Sequence, residues 1–205
     1  MQFLRRVSLV VASIHVAAAA VAAEKTFDFK DPKGVNAMTF ELDSVLEPIM
    51  GLAKGISGEV RLDPANPKAT RGRIAVDASS VVCSNQRMTE VLHGGDWLNV
   101  AEHGKIEFVI KDVAEVRAIR ENAWELTLVG DFMCKGQTRP VTIKAKADYL
   151  PGKAGSRLRG AEGDLLVLRA AFEVKRTDFG IKLDQSTDVV ADVIQIRASI
   201  VGMSK

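Results

Sequence analysis

The chain has 205 residues, with 28 Lys and Arg against 26 Asp and Glu. This length suits one domain with a full hydrophobic core, and the nearly balanced charge gives no electrostatic reason to expect a nucleic acid as partner. Three His and two Cys are too few for a His-rich metal cluster.

The N-terminus, Met1–Ala23, has the pattern of a secretory signal peptide. Arg5 and Arg6 form a basic start, Val7–Val16 is apolar, and small residues follow. The apolar run is shorter than the ~20 residues that a membrane span needs. We therefore predict one mature domain, residues 24–205, that is exported to a bacterial periplasm and at most peripheral to a membrane. An uncleaved N-terminal anchor is the alternative.

Apolar and polar residues alternate with a period of two through most of the mature chain, which predicts β-strands with one dry face. Eight such strands can close into an antiparallel lipocalin-like β-barrel around one small ligand, although a two-sheet sandwich has the same periodicity. The alternating segments are Met38–Leu42, Ile56–Leu62, Ile74–Val76, Ile106–Ile110, Trp124–Phe132, Val141–Ala147, Phe172–Val174 and Ile194–Ile200.

One segment, Ser84–Leu92, has helical spacing instead. Ser84 is a candidate N-cap and Gly94-Gly95 ends the helix. The fold class is therefore all-β with one inserted helix, which can cap the mouth of a barrel. Pro151–Asp164 contains Gly and Arg and is predicted to be an exposed loop.

The two cysteines, Cys83 and Cys134, lie 51 positions apart. In an oxidising compartment they could form a disulfide, and the alternative is two separate buried thiols. Their spacing fits neither a CxxC redox motif nor a metal site. The mature chain adds only His93 and His103, so we predict no metal.

The segment Arg176-Thr177-Asp178-Phe179-Gly180-Ile181 precedes the last predicted strand. In an extended segment Arg176 and Asp178 would lie on the same side, with Phe179 on the other. We interpret them as a paired structural plug at one end of the barrel, and the alternative is that Arg176 meets the head group of a ligand. Arg87 and Asp96 flank the predicted helix and could form a similar pair.

No catalytic motif is evident. The serines lack a nucleophile elbow, two His leave little room for a triad, and no Gly-rich phosphate loop occurs. We therefore predict that the protein is not an enzyme and needs no cofactor.

Three motifs, in this order, resemble the YceI-like family of periplasmic lipocalin-like proteins, which are regarded as binders of polyisoprenoids and related lipids. The first runs from Ile74-Ala75-Val76-Asp77-Ala78-Ser79-Ser80-Val81 through Arg87, Leu92 and Asp96-Trp97-Leu98-Asn99-Val100 to Lys105-Ile106-Glu107-Phe108; the second is Val129–Val141, and the third is Arg176–Ile181. The resemblance covers Ile74 to the C-terminus, with Gly51–Asp63 as a weaker extension. It implies a barrel rather than a sandwich.

The chain departs from the family pattern at several polar positions. The family usually has a Ser near the start of its first barrel strand and a His near the end, where this chain has Asn36-Ala37 and Asp43-Ser44. Met88 stands where an acid is usual, Leu98 replaces an aromatic, and Cys134 replaces a His or Lys. We therefore expect the polar end of the site to differ from the family pattern.

The resemblance implies an exported protein that holds a polyisoprenoid or isoprenoid-quinone-like ligand for carriage or sequestration. The inward apolar residues expected to line its cavity are Phe108, Trp124, Leu126, Leu128, Ile143, Phe172 and Ile194. Two alternatives remain, a sealed-core envelope stress or accessory protein that acts through its surface and, third, an enzyme on a lipocalin-like scaffold.

Overall fold

The computed structural model describes residues 24–204. The predicted signal peptide, Met1–Ala23, lies outside the described residues. The strands are β1 (Lys25–Asp28), β2 (Ala37–Leu42), β3 (Ile49–Ala53), β4 (Ile56–Leu62), β5 (Arg71–Asp77), β6 (Val81–Cys83), β7 (Lys105–Arg120), β8 (Ala123–Cys134), β9 (Gln137–Leu150), β10 (Leu165–Lys175) and β11 (Val193–Ser204). The helices are α1 (Gln86–His93) and α2 (Ala154–Arg157), and Pro67–Ala69, Ala78–Ser80 and Arg176–Phe179 form 3-10 turns.

The strands close into an antiparallel barrel. Their order is β1-β4-β5-β7-β8-β9-β10-β11, and β1 pairs back onto β11 through Phe27 with Ser204 and Asp28 with Met203. After short interruptions, β2, β3 and β6 continue the positions of β1, β4 and β5, so the ring has eight strands. The predicted fold class is confirmed. The short strands β1, β3 and β6 were not predicted, because they are too short to show clear alternation.

Large side chains fill one end of the barrel, which we call the closed end. They come from the ends of strands that meet there, and alternation along each strand turns them inward. Trp124 and Leu126 at the start of β8 are part of this packing. The closed-end residues are Phe27, Phe29, Leu62, Val113, Trp124, Leu126, Tyr149 and Leu166.

Asp164 ties the closed end together. Its carboxylate accepts hydrogen bonds from the Lys25 ammonium, from the Tyr149 hydroxyl at 2.9 Å and from the Gly152 N–H at 2.7 Å. Its backbone N–H donates to the Ser204 hydroxyl at 2.9 Å. Burial raises the pKa of Asp164, but the hydrogen bonds from Lys25, Gly152 and Tyr149 outweigh burial and hold that pKa below its usual range. The Asp164 carboxylate therefore joins the first strand to β9 and to the β9–β10 connection, and the Asp164 backbone adds the last strand.

The segment Pro151–Asp164 differs from the predicted exposed loop. It contains α2, and both Ala154 and Asp164 are buried. The Arg157 guanidinium donates to the Asp31 carboxylate at 2.7 Å and to the Asn36 amide oxygen at 3.2 Å. These hydrogen bonds explain the difference, because a loop whose polar groups find partners in the segment between β1 and β2 can pack against the barrel.

The Asn36 side chain supplies hydrogen bonds to the backbone where the first barrel strand is interrupted, between β1 and β2. Its amide nitrogen donates to the carbonyls of Phe29 and Val201, at 3.1 and 2.9 Å, and its amide oxygen accepts from the Val201 N–H at 2.9 Å. One buried side chain thus satisfies backbone groups that the broken strand would leave unpaired. Asn36 therefore has a structural role.

We expect Asp164→Asn to lower the free energy of unfolding by ~1–3 kcal/mol at neutral pH, because hydrogen bonds to a charged group are lost. The folded-state pKa of Asp164 is lower than its unfolded value. The carboxylate's contribution is therefore present above its ordinary pKa of about 4 and is lost as the pH falls through the folded-state value. Urea unfolding at neutral and acidic pH measures both effects.

Glu121→Gln, in an exposed turn, is the control for this substitution. The difference between wild type and Asp164→Asn should shrink in acid. An equal difference at both pH values would contradict the role of the charge.

Candidate functional site

An apolar cavity of about 170 Å³ occupies the half of the barrel opposite the closed end. Five of the seven residues predicted to line it are in its wall: Phe108, Leu128, Ile143, Phe172 and Ile194. Trp124 and Leu126 are not in the wall. They lie near the other end of β8, in the closed-end packing, so the alternation gave their inward direction but not their height along the barrel.

The wall of the cavity carries very little polarity. Among its described residues, Thr39 has the only hydroxyl group and Glu107 the only charge. Glu107 lies on β7 between the inward residues Ile106 and Phe108, and its carboxylate lies 3.7 Å from the Arg73 guanidinium. An apolar cavity of this kind stays dry, because water would find no hydrogen-bond partners in it.

Three phenylalanine rings form one side of the cavity. The Phe132 ring meets Phe172 edge-on at 6.0 Å between centroids and Phe179 at 5.5 Å. Edge-to-face pairs of this kind are favourable beyond the area that they bury. The predicted structural residue Phe179 is thus 1% exposed and lies in the cavity wall.

The helix α1 and the turn after it cover the end of the cavity, as predicted for the inserted helix. Leu92 from α1 and Trp97 and Leu98 from the turn line the cavity. The N-cap is Asn85, whose side-chain oxygen accepts from the Met88 N–H, and not the predicted Ser84. The Leu98 N–H donates to the Leu92 carbonyl at 3.0 Å, so helix and turn form one unit.

The predicted pair of Arg87 and Asp96 is not formed. Both side chains are exposed. The Asp96 carboxylate lies 3.8 Å from the Lys182 ammonium, and the Asp96 carbonyl accepts from the Lys182 N–H at 2.7 Å. Asp96 therefore ties the turn after α1 to the loop that follows the 3-10 turn Arg176–Phe179, and Arg87 lines an outer groove beside α1.

Arg176 is a buried cation held by backbone carbonyls. It is 1% exposed. Its Nε–H is shared between two carbonyls and each terminal nitrogen donates to two, at 2.5–3.3 Å, so all five N–H groups are used. The acceptors are the carbonyls of Ile181, Lys182, Gln185, Val190 and Ala191. The guanidinium therefore organises the whole loop before β11 and has no N–H left for a ligand.

The predicted pairing of Arg176 with Asp178 is wrong. The segment Arg176–Phe179 is a 3-10 turn, so alternation with a period of two does not apply, and Asp178 is exposed. Gly180 ends the turn with φ of +66°, in the left-handed region that glycine adopts readily. Arg176 therefore has a structural role at this end of the barrel, but carbonyl dipoles rather than a carboxylate stabilise its positive charge.

Both cysteines are free thiols, so the disulfide is not formed. Cys83 is half-buried on β6, which pairs with β3, whereas Cys134 is buried at the end of β8, between β7 and β9. The two residues thus lie on strands that are not neighbours. Burial raises the pKa of the Cys134 thiol to about 12, and this side chain lines the cavity.

Within residues 24–204, no group of three or more His, Cys, Asp or Glu side chains could hold a metal ion. In the same part of the chain, no helix is both long and apolar enough to cross a bilayer. The His93 Nε2–H donates to the Val81 carbonyl at 2.8 Å and so ties the end of α1 to β6.

We expect Arg176→Leu to lower the free energy of unfolding by at least ~3 kcal/mol, because buried carbonyls lose their donors. Arg176→Lys should recover only part of this loss, since an ammonium has three donors in place of five. Urea unfolding measures the effect. The matched control is Asp178→Asn, which should change stability by less than ~0.5 kcal/mol. A control as destabilised as Arg176→Leu would support the rejected ion pair instead.

We expect two free thiols per chain after denaturation without reductant. In the folded protein at mildly alkaline pH, Cys134 should not react with a water-soluble disulfide reagent, because its pKa of about 12 leaves almost no thiolate. Cys83 should react slowly. Native and denatured thiol counts test this, with Cys83→Ser to assign the signal. A denatured protein without free thiols would show that the disulfide forms.

Comparisons with known proteins agree with this architecture. A UPF0312 protein of Pseudomonas aeruginosa (strain LESB58) is 31% identical over 140 residues, covering 66% of this chain and 65% of the relative, so the match spans slightly less than two thirds of that protein.

Two solved structures have the same fold. BcnA of Burkholderia cenocepacia aligns with a TM-score of 0.63 at 19% identity, covering 81% of this chain and 95% of that one. A polyisoprenoid binding domain from Saccharophagus degradans aligns with a TM-score of 0.61 at 6% identity, covering 89% of this chain and 100% of that one. The model of the YceI-like domain matches residues 30–202, and the chain therefore belongs to the YceI-like family.

Proposed function

We propose that this protein is exported to the periplasm and holds a long apolar chain, such as a polyprenyl chain or the tail of an isoprenoid quinone, for carriage or sequestration. The observation that carries the proposal is the apolar cavity in one half of the barrel. Large side chains fill the closed end, so this interior can be packed with side chains. The other half of the barrel nevertheless contains the cavity.

The energetics favour an apolar occupant. At ~24 cal/mol per Å³, an empty space of this size costs the folded protein on the order of 4 kcal/mol. A bound chain would recover part of this cost and would gain ~0.8 kcal/mol for each CH₂-sized group removed from water. Ten such groups offset much of the ~4–15 kcal/mol cost of association without any precise polar contact.

The family supports the same class of ligand. The Saccharophagus degradans domain that shares this fold is described as polyisoprenoid binding. At 6% identity this likeness supports the scaffold and not the ligand, so the class of ligand rests on the cavity and on membership of the family. Nothing in the wall of the cavity selects a quinone ring over a plain isoprenoid.

The second candidate is a sealed-core envelope protein that acts through its surface. The size of the cavity favours it, because a dry apolar space of about 150 Å³ in another protein takes one benzene-sized molecule. On that scale this barrel, as it stands, would accept only a short part of a long chain. A long ligand therefore requires the wall to widen, and the two candidates differ in whether it does.

Lipid that co-purifies with the protein distinguishes the candidates. We expect mass spectrometry of an organic extract of protein purified from the bacterial envelope to detect a polyprenyl lipid. Ala145→Leu should lower its occupancy at least ~tenfold, a loss of ~1.4 kcal/mol, because the added carbons occupy the cavity without adding a charge. The matched control, Lys146→Leu, adds the same side chain to the outer face of the same strand and should keep the lipid.

Wild-type protein without lipid would support the sealed core. Full occupancy in Ala145→Leu would mean that lipid binds elsewhere. Urea unfolding of both variants separates loss of binding from loss of folding.

A further inference from the structure

The barrel wall is unpaired between β9 and β10 next to the cavity. The ladder of these strands runs from the pair Leu165–Leu150 to the pair Ala170–Ala145 and stops there. Residues 137–144 of β9 and residues 171–175 of β10 continue as strands beyond it, and each remains paired with its other neighbour. We call this gap the seam.

Local sequence explains why β9 can be an edge here. The β8–β9 hairpin turns at Lys135-Gly136, with φ of +47° and +69°, which is the two-residue turn typical of tight hairpins. In such a hairpin the pair next to the turn, Cys134 and Gln137, is hydrogen-bonded, and hydrogen-bonded pairs then alternate. The N–H groups of Thr142 and Lys144 therefore point towards β10, beyond the last paired rung.

Pro140 lies on the same side of β9. By the same alternation its nitrogen faces the seam, where no partner strand needs a donor. Proline in a sheet is confined to edges for this reason. Extending the register places Pro140 opposite Lys175, the last residue of β10, so the proline removes a donor that a continued ladder would use there. The sequence therefore favours an unpaired seam at that end.

The cavity lies directly behind the seam. Ile143 and Ala145 on β9 and Phe172 and Val174 on β10 all line it. Extending the register beyond Ala170–Ala145 places Phe172 opposite Ile143 and Glu173 opposite Thr142. The inner face of the seam is therefore apolar, and its outer face carries exposed polar residues.

Side-chain hydrogen bonds tie both ends of the barrel. The closed end is packed and tied by Asp164. At the other end, α1 and its turn are joined through Asp96 to the loop that Arg176 holds by all five of its N–H groups. Opening that end breaks these bonds. Parting β9 from β10 beyond the pair Ala170–Ala145 breaks no pair of their ladder, although the Lys135 ammonium, which donates to the Gly180 carbonyl at 2.7 Å, ties the hairpin turn before β9 to the segment after β10.

We propose that the seam between β9 and β10 is the portal through which an apolar chain enters and leaves the barrel. This proposal rests on the proposed function. Side-chain movements of Phe172 and Ile143 would open it, and separation of the strands would also widen a cavity that is too small for a long chain. The polar end of an amphiphile would stay outside, beside the polar groove formed by His103, Arg139 and Asp178.

A cross-link across the seam tests the proposal. Thr142→Cys and Glu173→Cys, in a Cys83→Ser background, are joined with a short bis-maleimide. The matched control joins Glu173→Cys to Gln195→Cys, which are opposite each other on the paired strands β10 and β11. The probe is all-trans-retinol, a fluorescent isoprenoid alcohol, mixed with each protein in a stopped-flow instrument.

We expect the seam cross-link to slow binding and release at least ~tenfold each, with an affinity close to that of the uncross-linked protein, because a blocked route changes both rates and not their ratio. The control cross-link should leave both rates unchanged. If the seam cross-link does not slow retinol, the portal is elsewhere, although the proposed function stands. If retinol does not bind any form, the proposed function fails and the portal with it.

Hydrogen exchange of the ligand-free protein tests the seam without a lipid. The amides of Thr142 and Lys144 should exchange faster than that of Ile143, which points to β8, by at least ~100-fold. Equal protection of these three amides would mean that the seam is closed in solution and would overturn the proposal.

Discussion

Closure of the ring is the constraint on which the rest of the structure depends. A sheet with free edges exposes unpaired backbone groups, and a barrel removes them only if its first and last strands meet. Here β1 is four residues long and contacts β11 through two residue pairs. Side chains complete this weak junction: Asn36 bonds the backbone on either side of the break, and Asp164 joins the first strand to the last.

The junction also decides where the interior is filled. Phe27 and Phe29, next to the break, are fully buried and pack in the closed end. At the other end the first barrel positions are continued by the short strands β2, β3 and β6, and α1 lies beside β6. The side chains that surround the interior there, aromatic ones among them, leave a cavity between them.

Arg176 shows what alternation along a sequence cannot reveal. A buried guanidinium without a carboxylate partner is unusual, because burial of an unpaired charge is costly. Five backbone carbonyls of one loop compensate for the cost of burying this charge. Every residue has a backbone carbonyl, so no residue type in the sequence marks these acceptors. The segment suggested an ion pair because Asp178 is close in sequence, whereas the real partners are backbone groups as far away as Ala191.

Periodicity predicted the barrel well, since an inward side chain on a half-buried strand must be apolar wherever the strand goes. All eight alternating segments lie in strands, and the inserted helix lies where its spacing placed it. The height of each residue along the barrel depends on register and tilt, which long-range pairing determines. For this reason Leu128 lines the cavity whereas Leu126, two residues away with the same alternation, is packed in the closed end.

The cavity of about 170 Å³ costs the folded protein stability. A dry void weakens the fold, so a sequence that needs only stability would tend to fill it with larger side chains. Four alanines, Ala53, Ala145, Ala170 and Ala198, line the cavity instead, and Ala145 and Ala170 form the last rung before the seam. Small side chains at this rung leave room inside the barrel beside the seam, so that the empty space and the unpaired stretch of wall lie at the same residues.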